Sequence, residues 1–70
     1  MFWWFERAGE FMRYEVGELP EGGYVLRVVD VDGTEHAERF SDSSDLNKRQ
    51  EDFERELADK GWNGPHGWNL

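Results

Sequence analysis

The stretch FWWFERAGEFMRYEV, residues 2–16, carries the clearest structural signal of the sequence. It holds two runs that are rich in aromatic residues, and the dipeptide Ala8-Gly9 separates them. Aromatic residues are enriched in β-strands, and two such runs around a short glycine-containing turn are typical of a β-hairpin. The sequence therefore predicts two antiparallel strands, near residues 2–7 and 10–17.

A two-residue loop at Ala8-Gly9 also predicts how these two strands pair. Arg7 would lie opposite Glu10, and the pairing would continue along the hairpin. The further expected pairs are Phe5 with Met12, Trp4 with Arg13, and Trp3 with Tyr14. This pairing decides which side chains share a face of the sheet.

A second hairpin is predicted around Asp32-Gly33, within VVDVDGTEH at residues 28–36. Asp-Gly between runs rich in β-branched residues is a strong hairpin signal. The two strands are expected near residues 23–31 and 34–40, after the turn LPEGG. The pairs expected from a two-residue loop are Val29 with His36, Val28 with Ala37, and Arg27 with Glu38.

A helix is predicted after the fourth strand. Asp42 is a suitable N-cap, and Asp45 at the third helical position suits the positive helix start. Gly61 is expected to end the helix in the left-handed C′ position. One stripe of the helix carries Leu46, Gln50, Phe53 and Leu57, at spacings of four, three and four. The predicted fold is α+β, a four-stranded antiparallel meander followed by one C-terminal helix packed on one face (ββββα).

The stretch GWNGPHGWNL, residues 61–70, follows the helix. Trp62 falls at C″, where a hydrophobic contact with Leu57 commonly accompanies the helix end. Terminal residues that nothing ties down usually fray. The domain is therefore expected to span residues 1–62, with residues 63–70 as a flexible C-terminal tail.

Alternation along the strands divides their side chains between two faces. Between the second and third strands we favour Glu15 opposite Arg27, because the other register would place Arg13 opposite Arg27. The face expected against the helix carries Trp3, Phe5, Met12, Tyr14, Val16, Tyr24, Leu26, Val28 and Ala37.

The opposite face, which we call the open face, is more apolar than a solvated sheet face should be. Its expected members are Phe2, Trp4, Phe11, Arg13, Glu15, Val25, Arg27, Val29, Val31, His36 and Glu38. Six of these are apolar, whereas exposed sheet faces normally alternate to polar residues. A large exposed apolar patch usually marks a contact site. The candidate interaction residues are Phe2, Trp4, Phe11, Arg13, Arg27, Val29 and His36.

The composition restricts the functions that remain. Seventy residues make one domain. The net charge of −8 argues against nucleic acid, which is bound through Lys and Arg, and against an anionic membrane surface. The chain contains no cysteine, so a cytoplasmic location is the default expectation. The opening MFWWF is too short to cross a membrane and does not resemble a signal peptide.

No residue pattern indicates catalysis, a metal site or a cofactor. DVDGTE, residues 30–35, resembles part of a calcium loop, but the alignment puts Val28 and Arg39 at ligand positions that neither can fill. His36 and His66 do not have the spacing of a zinc site. A catalytic site would need a nucleophile or an acid–base pair in a cleft. We therefore predict that the protein is not an enzyme and needs no cofactor.

Three stretches carry a family resemblance. WWFERAGEFMRYEV, GGYVLRVVDVDGTEHAERFSD and GWNGP, in this order, are similar to a group of short, uncharacterised bacterial proteins. The resemblance covers most of residues 3–65 and implies the ββββα architecture and a bacterial origin. In outline, ββββα also resembles the single-strand-binding modules of the Whirly and Pur type. Those modules hold nucleic acid on a sheet that carries basic and aromatic residues, often as dimers.

Two functions stay open at this point. The first is a non-enzymatic interaction module that forms a homodimer or binds a protein partner through the open face. The second is a single-stranded nucleic-acid binder, in which Phe2, Trp4 and Phe11 would stack on bases beside Arg13 and Arg27. The net charge makes nucleic acid the less favoured partner.

Overall fold

A five-stranded antiparallel sheet with one helix against it makes up residues 2–68, the part of the chain that the computed structural model describes. The elements are β1 (Phe2–Arg7), β2 (Glu10–Glu18), β3 (Tyr24–Val29), β4 (Glu35–Phe40), α1 (Ser43–Asp59) and β5 (Asn63–Trp68). The strand order across the sheet is β4-β3-β2-β1-β5. The predicted α+β fold, with a four-stranded meander followed by a helix, is confirmed, and the chain adds a fifth strand.

The first hairpin has the register that its sequence predicts. Arg7 pairs with Glu10 and Trp3 with Tyr14, so the loop consists of two residues, Ala8 and Gly9. Both loop residues have positive φ, 49° and 81°, as in the turns that match the twist of a tight hairpin.

The predicted register between β2 and β3 is also confirmed. Glu15 lies opposite Arg27, and their side chains form an ion pair of 3.3 Å. Arg13 lies opposite Val29.

The second hairpin differs from the prediction by one residue. The amide of Asp30 donates to the carbonyl of Thr34, and the amide of Gly33 donates to the carbonyl of Asp30, both at 2.9 Å. The loop therefore holds three residues, with Gly33 at φ 87° in the position where such loops favour glycine. The carboxylate of Asp32 accepts the amide of Thr34 at 2.9 Å. This side-chain bond satisfies a donor that a two-residue loop would have used in the strand pairing.

The one-residue shift exchanges the two faces of β4. Val28 pairs with His36 and Arg27 pairs with Ala37, so the predicted pairs Val29–His36 and Val28–Ala37 are wrong. His36 lies on the helix side of the sheet, and Ala37 takes a place on the open face. Glu38 changes sides too, because it pairs with Leu26 and not with Arg27.

Both ends of α1 are formed as predicted. The Asp42 carboxylate accepts the amide of Ser44 at 2.9 Å and its hydroxyl at 2.8 Å. These two bonds lower the pKa of Asp42. At the other end, the amide of Trp62 donates to the carbonyl of Leu57 at 3.0 Å, which is the capping bond expected of C″. Trp62 is buried.

Residues 63–68, assigned to a tail from the sequence, instead form β5, which runs antiparallel to β1. Trp4 pairs with His66 and Phe2 with Trp68, and the pairing is irregular between Trp4 and Glu6. The strand contains Pro65, which is depleted in sheets but tolerated on an edge strand such as this one. Met1 and the last two residues of the predicted tail, 69 and 70, lie outside the described residues.

Gly64 lets β5 approach β1 closely. It has φ 148°, and a Cβ at this position would lie 2.7 Å from a ring carbon of Phe5 and 3.0 Å from the carbonyl oxygen of Trp4. Any side chain larger than hydrogen would have to displace the Phe5 ring or the strand, so the glycine is needed for this contact.

The core lies between the sheet and α1. Its buried side chains are Phe5, Tyr14, Leu26, Leu46, Phe53, Leu57 and Trp62. Tyr14 stands edge-on to Phe53 at 5.4 Å between ring centroids, a favourable aromatic arrangement. Its hydroxyl donates to the Glu54 carboxylate and accepts from Gln50 at 3.3 Å. Burial and the bond to Glu54 raise the pKa of Tyr14 well above its usual value.

Candidate interaction face

An open apolar groove lies on the face of the sheet opposite α1, between the β1–β2 hairpin and the turn that follows β3. Its volume is about 590 Å³. It is lined by Phe2, Trp4, Phe11, Met12, Arg13, Val29, Asp30, Val31 and Gly33. We refer to these nine residues as the groove.

Strand alternation and register together produce the groove. One row of paired residues crosses the sheet in the order His66, Trp4, Arg13, Val29 and Glu35. Directly paired residues point to the same side of a sheet, so the three central members of this row line the groove side by side. Neighbouring positions of the same strands, and the turn after β3, supply the other walls.

The groove exposes the large apolar side chains that the core does not use. Phe11 is 57% exposed and Val31 is 44% exposed, and within residues 2–67 these are the two exposed large hydrophobic side chains. Both of them line the groove. The two exposed large hydrophobic residues of the described chain therefore lie at one place.

Trp4 is the centre of an aromatic cluster on the open face. Its ring stacks on that of His66 at 4.3 Å between centroids, and the ring of Phe11 lies 5.9 Å away on the other side. His66 reaches this position because β5 pairs with β1. The sequence predicts a tail at His66, and only the pairing of β5 with β1 identifies this residue as a member of the open face.

The arginines of the open face differ in whether they form an ion pair. Arg27 pairs with Glu15 at 3.3 Å, and Arg39 pairs with Glu21 at 3.5 Å. Arg13 is exposed and forms no ion pair, hydrogen bond or ring contact with the described residues. The groove therefore has one unpaired positive charge on its wall.

Most of the predicted site residues come together. Phe2, Trp4, Phe11, Arg13 and Val29 line the groove. The predicted residue Arg27 lies in a smaller adjoining hollow of about 300 Å³ that shares three residues with the groove. Val31 is expected on the open face but is not one of the candidate residues, and it forms part of the groove wall.

His36 is the predicted site residue that does not belong here. It lies on the helix side, in a hollow shared with Arg49 and Phe53 of α1, and its ring contacts the Asp30 carboxylate at 3.0 Å. The three-residue loop after β3 is the reason, because it turns this position to the other face.

Neither metal ligands nor a membrane span is found in the part of the chain that is described. Residues 2–68 hold no group of three or more His, Asp or Glu side chains that could bind a metal ion. Over the same residues, no helix has the length and apolar character needed to cross a membrane.

Hydrogen bonds from Thr34 lower the pKa of Asp32, which belongs to the turn beside the groove.

Comparison with known protein families, with curated proteins and with solved structures finds no match to this chain. The interpretation of the groove therefore depends on its own geometry and charge.

Proposed function

We propose that this protein is a non-enzymatic interaction module that contacts another protein, or a second copy of itself, through the open face of its sheet. The observation that carries the proposal is the exposure of Phe11 and Val31 at one groove. Soluble monomers seldom keep contiguous apolar surface without a use for it.

The fold does not need these side chains where they are. The buried core is complete on the helix side, and Phe11 and Val31 are not among its members. Removing apolar surface from water gains roughly 25 cal/mol for each Å². A partner that covers Phe11 and Val31 would remove this apolar surface from water and so gain binding free energy.

Charge favours a protein over nucleic acid as the partner. Trp4 and Phe11 offer rings on which bases could stack, as in single-strand-binding modules. However, the chain carries a net charge of −8, which repels phosphate, and Arg27 and Arg39 on the same face are already paired. Single-stranded nucleic acid is thus the alternative, and titration with oligonucleotides at low salt tests it.

The absence of cysteine leads us to place the protein in the cytoplasm.

The test compares the wild type with the double variant Phe11→Ser/Val31→Thr. Sedimentation velocity over a dilution series detects self-association, and selection from a displayed library of random peptides detects binding to another chain. We expect the wild type to self-associate or to enrich peptides, and the double variant to do neither. Val25→Thr, on the same face but outside the groove, is the matched control and should behave as the wild type.

The proposal fails if the wild type is a monomer at every concentration and also enriches no peptide. It also fails if the double variant retains whatever association the wild type shows, because the groove would then be dispensable.

A further inference from the structure

Arg13 differs from the other arginines of the chain in having no partner. All six arginines lie within the described residues. Five of them bond to a carboxylate or a carbonyl: Arg7 to the carbonyl of Lys60, Arg27 to Glu15, Arg39 to Glu21, Arg49 to Glu38, and Arg55 to Asp52. Arg13 alone has no such contact with residues 2–68.

Two carboxylates near Arg13 are engaged elsewhere, and Glu6 and Glu35 on the same face form no ion pair with it. Glu15, two residues along the same strand and on the same face, is bonded to Arg27. Asp30, the carboxylate that lines the groove, is 3.0 Å from the ring nitrogen of His36 on the other side of the sheet. A protein with twice as many acidic as basic residues thus keeps one guanidinium unneutralised, beside its most apolar surface.

We infer that the groove binds a segment of a partner protein in which a large apolar side chain stands next to an Asp or Glu carboxylate, with Arg13 as the anchor for the carboxylate. This inference rests on the proposed function and names the chemistry of its partner. The apolar walls formed by Trp4, Phe11 and Val31 receive the apolar side chain. The guanidinium offers parallel N–H donors that match the two oxygens of a carboxylate.

The net charge favours a different protein over a second copy of this chain as the partner. Two copies would each bring a net charge of −8, and this repulsion opposes their association. A partner segment needs only one carboxylate at the groove, where the single positive charge lies, and its other residues can be neutral or basic. Electrostatic complementarity of this kind sets specificity and the rate of association.

The experiment begins with a displayed library of random peptides selected on the intact wild-type chain. Clones that the double variant Phe11→Ser/Val31→Thr also retains are discarded. We expect the remaining peptides to carry an aromatic or large aliphatic residue beside Asp or Glu. One such peptide is then synthesised in two forms, with its carboxylate and with the isosteric amide, and each is titrated against the protein by tryptophan fluorescence.

The wild type should bind the acid form about tenfold more tightly than the amide form, as expected for one charge-assisted pair. Arg13→Gln should remove this preference and leave the affinity for the amide form unchanged. Arg39→Gln is the matched control, because Arg39 is on the same face but outside the groove and already paired with Glu21, and it should preserve the preference. The preference should also weaken as salt is added.

The outcomes separate this inference from the proposed function. If groove-dependent peptides carry no carboxylate, or if Arg13→Gln leaves the acid preference intact, the inference is overturned while the interaction module stands. The inference is also overturned if the protein forms a dimer that Arg13→Gln dissociates, or if it binds an oligonucleotide through Arg13. In either case the groove would have a different occupant. If no peptide is enriched, the inference falls, and a concentration-dependent dimer would then be the only support left for the proposed function.

Discussion

The two faces of this sheet both carry phenylalanine, but on one face it is buried and on the other it is exposed. On the helix side, Phe5 is 1% exposed and its ring packs against Phe53 of α1. On the open face, one strand away, Phe11 is 57% exposed. Both phenylalanines occur in the same hairpin, so composition does not distinguish them. The difference shows that aromatic content in a small domain is not by itself a measure of its core.

The largest difference in stability between the two faces should appear when one phenylalanine on each face is replaced by alanine. Phe5→Ala is expected to cost about 3–5 kcal/mol, because it leaves a cavity in the core. Phe11→Ala should change the free energy of unfolding by no more than about 0.5 kcal/mol, as for most exposed positions. Urea denaturation followed by circular dichroism measures both. Equal losses from the two variants would show that Phe11 is part of the stabilising core.

The next largest difference in stability should be between variants of two contacts that β5 makes with β1. Gly64→Ala would push a methyl group against the Phe5 ring, and overpacking of this kind costs about 1–3 kcal/mol in addition to backbone strain. His66→Ala removes only the exposed stack on Trp4 and should cost about 0.5 kcal/mol. Gly33→Ala is the control for backbone strain, because it has positive φ but open space around it. Thermal unfolding ranks the three variants, and a Gly64→Ala loss no larger than that of Gly33→Ala would argue against the close approach of β5.

Removing one polar contact from each face should cause a smaller loss in the free energy of unfolding. Tyr14→Phe removes the bonds to Glu54 and Gln50 beside the core and should cost about 1 kcal/mol. Arg27→Gln removes the exposed pair with Glu15 on the open face and should cost about 0.5 kcal/mol or less. If Arg27→Gln proves the more harmful change in urea denaturation, the open face contributes more to stability than its exposure suggests.

The pH dependence of Tyr14 gives the same comparison a second test. Its pKa is raised by folding, so its neutral phenol contributes stability that is fully present below the usual value of 10.0 and is lost as the pH rises beyond it. The stability of the wild type should therefore fall more steeply above pH 10 than that of Tyr14→Phe. Parallel curves for the two proteins in alkaline solution would contradict a buried, hydrogen-bonded phenol.

The sequence predicts the first hairpin and most of the groove because both depend on local rules. Ala8-Gly9 determines a two-residue loop, and alternation then carries Trp4 and Arg13 to one face. Charge pairing between Glu15 and Arg27 extends this register to β3. From there, the position of Val29 in the groove follows by alternation alone.

The parts that the sequence does not predict depend on choices that local rules leave open. Asp32-Gly33 suits loops of two or three residues, and the bond from Thr34 to the Asp32 carboxylate favours the longer one, which moves His36 to the other face. β5 contains glycine and proline, which are depleted in strands. It forms a strand because the edge of β1 is free to pair with it and because Gly64 fits against Phe5.

The indole N–H signals of Trp4 and Trp62 in one NMR spectrum report directly on whether binding occurs at the open face. Trp4 lies on the open face, and Trp62 is buried on the helix side. As the concentration of protein or of a selected peptide is raised, we expect the Trp4 signal to shift progressively while the Trp62 signal stays in place. A shift of Trp62 with an unchanged Trp4 would contradict the account, because binding would then occur away from the open face.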